Sequence, residues 1–415
     1  MVRTTASLTL AALLGSTTAV SYNTTTSPTV VLNNVKYLGL HNTAANTNEY
    51  YSIPFAAAPI GPLRWKAPQP YTIPTNYTNS NAPIDVTKPG PSCVQGIPFP
   101  FLAGSPAPVP IPGSEDCLTL HVYAPDTATA GANLPVIFYI HGGGYTVGQA
   151  GKEDPHALMR HSKNAFIFVS IQYRLGAYGF VGGPKYVSQG GAQNIGLLDQ
   201  RLALEWTQKN IAAFGGDPKK VTIFGGSAGG GSVTAQLTWK GGVENPPFRA
   251  AIADYPWWQQ FSRDEQLDKQ FELLLDATRC TDLKCLQGVP EDVLKNVTQE
   301  SYTTAYLNGA YGHGHFYYGP YVDGEFVQDL PSREFKAARY AKVPTWVSRE
   351  GFEGWAFSNQ SMTTIEEEKA DLRTLFPYAD ERFIDKIYEL YPSKDFNSTF
   401  WHRQTWFGYV LRFTR

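Results

Sequence analysis

The stretch 221-VTIFGGSAGGGSV-233 carries a strand-like apolar run, Val221 to Phe224, straight into Gly225-Gly226-Ser227-Ala228-Gly229. A short strand entering G-x-S-x-G is the sequence form of a nucleophile elbow, in which the serine occupies a strained turn between a strand and a helix. Side chains two residues to either side of that serine collide with neighbouring backbone. Gly225 and Gly229 avoid this, and Ser227 is the candidate nucleophile.

Upstream, His141-Gly142-Gly143-Gly144 follows directly on the apolar run 135-PVIFYI-140. Acyl transfer builds negative charge on the former carbonyl oxygen, and backbone N–H groups in a glycine loop approach it without obstruction. The spacing predicts a three-donor oxyanion hole from the N–H groups of Gly143, Gly144 and Ala228.

Working outward, the runs 135–140, 165–171 and 221–224 are separated by turn-rich or helical stretches. That is the spacing of crossover units, so the fold class is α/β with a largely parallel sheet. Leu198, Leu202 and Trp206 recur every four residues and predict one helix face, ended by 214-FGGDP-218, where a glycine caps and Pro218 stops the helix. Ser262-x-x-Glu265 and Thr364-x-x-Glu367 read as capping boxes. Phe383, Ile384, Ile387, Tyr388 and Tyr391 predict a further helix closed by Pro392.

The 415 residues, 42% hydrophobic and 17% charged, are enough for one large α/β core or two ordinary domains and exclude disorder as the whole account. A formal net charge of −2 with no long basic run excludes nucleic acid as the expected partner. Arg3, then an apolar segment over 6–14 and small residues through Ala19, predict a secretory signal peptide over 1–21. No other run is long enough to span a membrane. Export makes disulfides plausible among Cys93, Cys117, Cys280 and Cys285, with three pairings open. A Cys93–Cys117 bridge would close a loop worth roughly 3 kcal/mol by loop entropy. N-x-S/T triplets at Asn23, Asn76, Asn296, Asn359 and Asn397 fit a glycoprotein.

Three segments give the chain a family likeness. The stretches 53-IPFAAAPIGPLRW-65, 115-EDCLTLHVYAP-125 and 194-NIGLLDQRLALEWTQKNIAAFGGDPKKVTIFGGSAGG-230 resemble, in order, the type-B carboxylesterases, a family that includes cholinesterases and several fungal lipases. The resemblance implies an α/β-hydrolase fold, a central mostly parallel sheet flanked by helices, over 22–415. It implies a Ser-acid-His triad, small ester or lipid substrates, and no cofactor or metal. It also implies a buried Arg64–Glu115 ion pair and the disulfides Cys93–Cys117 and Cys280–Cys285.

For the acid, the family context E-G-x-x-F after a strand points to Glu353 in 343-VPTWVSREGFEGWAF-357, with Glu350 as the alternative. The resemblance places the histidine on the order of a hundred residues beyond the acid, in a G-x-x-H-G stretch. No such motif follows Glu353 here, so the expectation is a domain incomplete at its C-terminal end, with its last elements missing. His402 and His313 are the substitute bases, and His315, close to His313, reads with it as part of an aromatic rim. Gly226 stands where many relatives carry an acid, which disfavours cationic substrates. Trp257 and Trp258 are candidates for a pocket that limits acyl size or for core. The competing function is a non-catalytic binding or adhesion protein, whose expected mark, a replaced nucleophile, is missing.

Overall fold

The computed structural model describes residues 27–78, 82–102, 111–351, 353–359, 361–392 and 395–396; the expected signal peptide, His402 and the triplets at Asn23 and Asn397 lie outside them. The strands, in chain order, are β1 (Thr29–Leu32), β2 (Val35–Leu38), β3 (Leu40–Asn42), β4 (Thr47–Pro54), β5 (Ile84–Asp85), β6 (Thr119–Pro125), β7 (Leu134–Ile140), β8 (Ile167–Ile171), β9 (Gly216–Gly226), β10 (Ala250–Asp254) and β11 (Thr345–Val347). β1, β2 and β5 form a small sheet, and the rest form one sheet in the order β11-β10-β9-β7-β8-β6-β4-β3. From β8 to β11 every pairing is parallel, while β3, β4 and β6 add antiparallel strands on the other side.

Partners in register share a face of the sheet. On one face Val169, Phe138, Ile223 and Ala251 lie side by side, none more than 1% exposed. The helices Ile195–Asn210 and Ala228–Thr238 belong to the same apolar core. On the other face the row runs Ser170, Tyr139, Phe224, Ile252, Trp346, and cover thins along it until Trp346 is 62% exposed. Val347, pointing the opposite way on the same edge strand, is 56% exposed.

Local signals are borne out with adjustments. The helix Ile195–Asn210 passes through a short 3₁₀ turn to Gly215, at φ 91°, but β9 begins at Gly216 and carries Pro218 inside it, five residues before the expected run. Leu198, Leu202 and Trp206 are only half-buried; the deep face of that helix carries Ile195, Gln200, Ala203 and Thr207. The box at Thr364 forms reciprocally, Glu367 N donating to Thr364 Oγ1 at 3.2 Å and Thr364 N to Glu367 Oε2 at 3.0 Å. The box expected at Ser262 is shifted: the helix Asp264–Thr278 is capped by Arg263, whose N–H donates to Gln266 Oε1 at 3.0 Å. An arginine side chain has no acceptor, so only that half of the box exists.

The structure contains disulfides Cys93–Cys117 and Cys280–Cys285. Arg64 grips Glu115 with Nε and Nη2, both at 2.5 Å, and Nη1 donates to the carbonyls of Leu286, Gln287 and Val289 at 2.8–3.0 Å. One buried guanidinium thus ties the loop before β6 to the chain just past the second disulfide. Arg64→Ala leaves Glu115 and three carbonyls unpaired, and is expected to cost about 3–5 kcal/mol. Urea unfolding with an unchanged midpoint would refute this.

A second polar cluster fixes the loop that leads away from the glycine motif. Glu49, 1% exposed, accepts from Asn42 Nδ2 at 2.8 Å, Thr47 Oγ1 at 2.9 Å, the Tyr51 hydroxyl and His156 Nε2 at 2.7 Å. His156 Nδ1 also bonds Asp154, and Tyr123 packs its ring edge-on at 5.7 Å. The hydrogen bond to Glu49 raises the His156 pKa, against burial, with help from the Glu49 and Asp154 charges. A raised pKa contributes stability that is complete below the unfolded value of about 6.5 and is lost as pH rises through the folded value. The melting-temperature advantage of wild type over His156→Gln is therefore expected to be largest in mild acid and to shrink through neutrality. A pH-independent difference would contradict it.

Candidate active site

β9 ends at Gly226, and the helix Ala228–Thr238 starts two residues later, leaving Ser227 alone in the turn at φ 57°, ψ −125°. A non-glycine residue there is strained and persists only because its surroundings hold it. Ser227 N donates to Asp254 O at 3.1 Å, and its carbonyl accepts from Gly231 N and Trp257 N, both at 2.9 Å. The motif glycines are close-approach positions: a Cβ on Gly229 would lie 2.1 Å from Ile140 O, and one on Gly225 would lie 2.5 Å from the Gly229 backbone. This brings the end of β7 against the elbow.

His141-Gly142-Gly143-Gly144 leaves β7 at that point. A Cβ on Gly142 would lie 2.7 Å from Gly226 O and 3.2 Å from Ser227 Cβ, so the loop runs beside the serine. Gly143, at φ 105°, accepts from Thr146 and Val147 N–H groups at 3.1 and 3.0 Å. The N–H groups of Gly143, Gly144 and Ala228 donate to no acceptor among the described residues. His141 is buried with its ring stacked on Tyr173 at 4.4 Å and its Nδ1 2.9 Å from Gly142 O; burial pushes its pKa down to about 4. It serves as part of the loop's scaffold.

β11 is followed by Ser348, whose hydroxyl donates to Asp254, the residue whose carbonyl holds Ser227 N. Glu353 then opens the short helix Glu353–Phe357 and accepts from Glu350 N at 3.2 Å; Glu353 is half-buried and Glu350 exposed. The two tryptophans part company. Trp258 is 5% exposed and donates Nε1 to Thr234 Oγ1 at 2.8 Å, which makes it core and corrects its candidacy for the pocket. Trp257 is half-buried between Tyr145 and Phe316.

Phe316, a residue that the sequence does not single out, joins these parts. Its ring fills the space beside Gly144, where a Cβ would lie 2.1 Å from it. It meets Trp257 edge-on at 5.1 Å, Phe357 at 6.2 Å and Phe101 at 5.6 Å. No local pattern marks it, because its three partners lie far off in sequence. His313 leans on Phe101 at 6.3 Å, and His315, 7% exposed, lines a separate cavity. His121 accepts from Ser52 N at 3.0 Å, His41 lies 3.1 Å from Asn48 Oδ1, and His161 is exposed on the helix His156–His161. No described histidine bonds Ser227.

The carboxylesterase family model matches residues 27–404. The chain belongs to the carboxylesterase family. Its similarity to Lipase 5 of Diutina rugosa is 34% identity over 380 residues, 83% of this chain and 66% of that one. To carboxylesterase patB of Penicillium expansum it is 32% over 356 residues, 74% and 62% of the two chains. The crystal structure of Aspergillus niger EstA superposes with a TM-score of 0.79 at 28% identity, covering 92% of this chain and 72% of that one. The family's α/β-hydrolase fold is thus present, and the chain spans about two thirds of the length of the curated relatives it matches. Among the described residues no helix is long and apolar enough to cross a membrane.

Proposed function

We propose that the whole protein is a secreted serine hydrolase that cleaves carboxylic esters through an acyl-enzyme on Ser227. The observation that carries this is the strained serine placed beside a glycine loop, with three backbone N–H groups that meet no acceptor among the described residues. In this reading Ser227 Oγ attacks the ester carbonyl, and Gly143, Gly144 and Ala228 receive the oxyanion. Glu353, not the exposed Glu350, orients the imidazolium formed when a histidine takes the serine proton and returns it to the leaving alcohol. Of the two histidines that could be that base, His313 lies 6.3 Å from the Phe101 ring and His402 lies outside the described residues. Export is supported by the disulfides, the N-terminal apolar segment and the glycosylation triplets.

Labelling with a fluorophosphonate followed by peptide mass spectrometry tests the reading. A single adduct on the peptide bearing Ser227 is expected, and a folded protein that takes no label would overturn it.

Trp257 and Phe316 form the wall beside the oxyanion loop and limit acyl length. One methylene in an apolar pocket is worth about 1–3 kcal/mol. Phe316→Ala is therefore expected to raise kcat/KM for p-nitrophenyl octanoate relative to butyrate by about tenfold or more, and an unchanged ratio would remove Phe316 from the acyl wall.

A further inference from the structure

Behind that wall lies a cavity of about 230 Å³, between the helix Asp264–Thr278, the loop 309–317 and the turn after Leu375. We propose that it is a binding site for a small neutral polyhydroxyl ligand, a single pyranose ring. Among the described residues its lining holds no carboxylate and one ammonium, that of Lys269, which argues against both a cation and a strongly anionic ligand. The volume falls below the roughly 300 Å³ at which drug-sized pockets begin, which suits one ring.

The character of the lining is amide and phenol. Gln260, Gln266 and Gln270 supply groups that both donate and accept, as sugar hydroxyls do, and Tyr311, Tyr317 and Tyr378 supply ring surface for the C–H faces. Two of the amides are already oriented. Gln270, 2% exposed, donates Nε2 to Tyr317 O at 2.8 Å, while its Oε1 has no partner among the described residues. Gln266 commits Oε1 to the Arg263 N–H, leaving its NH₂ end as a donor. Tyr378, 47% exposed at the mouth, is held by Arg263 over its ring at 3.6 Å. Fixed amides beside a fixed ring are preorganised for recognition rather than filler.

The same two segments serve both sides of the partition. Trp257 and Phe316 belong to the acyl wall, and Gln259, Gln260, His315 and Tyr317 line the cavity. The site is nevertheless distinct from Ser227, which does not line it.

Saturation-transfer NMR with methyl β-D-glucopyranoside on the folded protein is the test, repeated with Gln260→Leu and Tyr378→Ala. Transfer that saturates with ligand is expected, weakened about tenfold by each substitution, which corresponds to about 1.4 kcal/mol. Sodium acetate at equal concentration is expected not to compete. Absence of transfer overturns the proposal, as does transfer that neither variant changes or that acetate abolishes. Circular dichroism of both variants, whose side chains lie at the half-buried or exposed mouth, confirms that a loss reflects the site and not the fold.

Discussion

Ser227→Ala is expected to lower kcat for p-nitrophenyl butyrate hydrolysis by the whole protein on the order of 10⁶-fold, to the residual rate that oxyanion donors and binding alone supply. The size of the effect follows from the role proposed for the serine: without Oγ no acyl-enzyme would form, and the remaining N–H groups could only polarise a carbonyl for attack by water. The substitution barely touches the fold, because what holds residue 227 are its backbone bonds to Asp254, Gly231 and Trp257. Alanine retains all three. The measurement is steady-state hydrolysis beside wild type, with thermal melting as the check on folding. Equal rates in the two proteins would mean that hydrolysis takes place elsewhere.

Gly143→Ala should lower kcat by about 10²–10³-fold, the usual cost of losing one oxyanion donor. Two independent features force the loop to move. A Cβ at residue 143 would lie 2.0 Å from Val147 O, and φ there is 105°, where side chains are strained. Val147 O belongs to the turn closed by the Gly143 carbonyl, so relief requires the turn itself to shift and carries the neighbouring N–H groups off the serine. KM should move far less than kcat, since the donors act on charge that develops only in the transition state. A variant with wild-type kcat and intact melting would exclude Gly143 from the oxyanion hole.

The parts of the fold that could be read in sequence are those whose physics is local. Gly225, Ser227 and Gly229 announce a turn that admits only small neighbours, and Thr364 with Glu367 forms its box within a single turn of chain. Arg64 with Glu115 and the two disulfides came through family likeness, as residues alone left several pairings open. What could not be read depends on contacts between remote segments. Glu49 and His156 are 107 residues apart and meet only because β4 and the helix His156–His161 pack together. Trp257 and Trp258 are equal in sequence yet differ in the structure, because Thr234 offers the second indole an acceptor and Phe316 offers the first a ring. Pro218 shows the opposite failure, a local stop signal read correctly for the helix but without regard to the strand that follows.

Strand β11 bears on how copies of this chain meet one another. Among the described residues β11 is an edge strand of the large sheet, with Trp346 and Val347 bare on its two faces; it is only three residues long and Pro344 directly precedes it, both of which blunt an edge. Natural edge strands are usually guarded by such gatekeepers. A formal net charge of −2 offers little colloidal repulsion between molecules. Contact between molecules at this edge is therefore expected through the bare Trp346 and Val347 side chains rather than through a long run of backbone pairing.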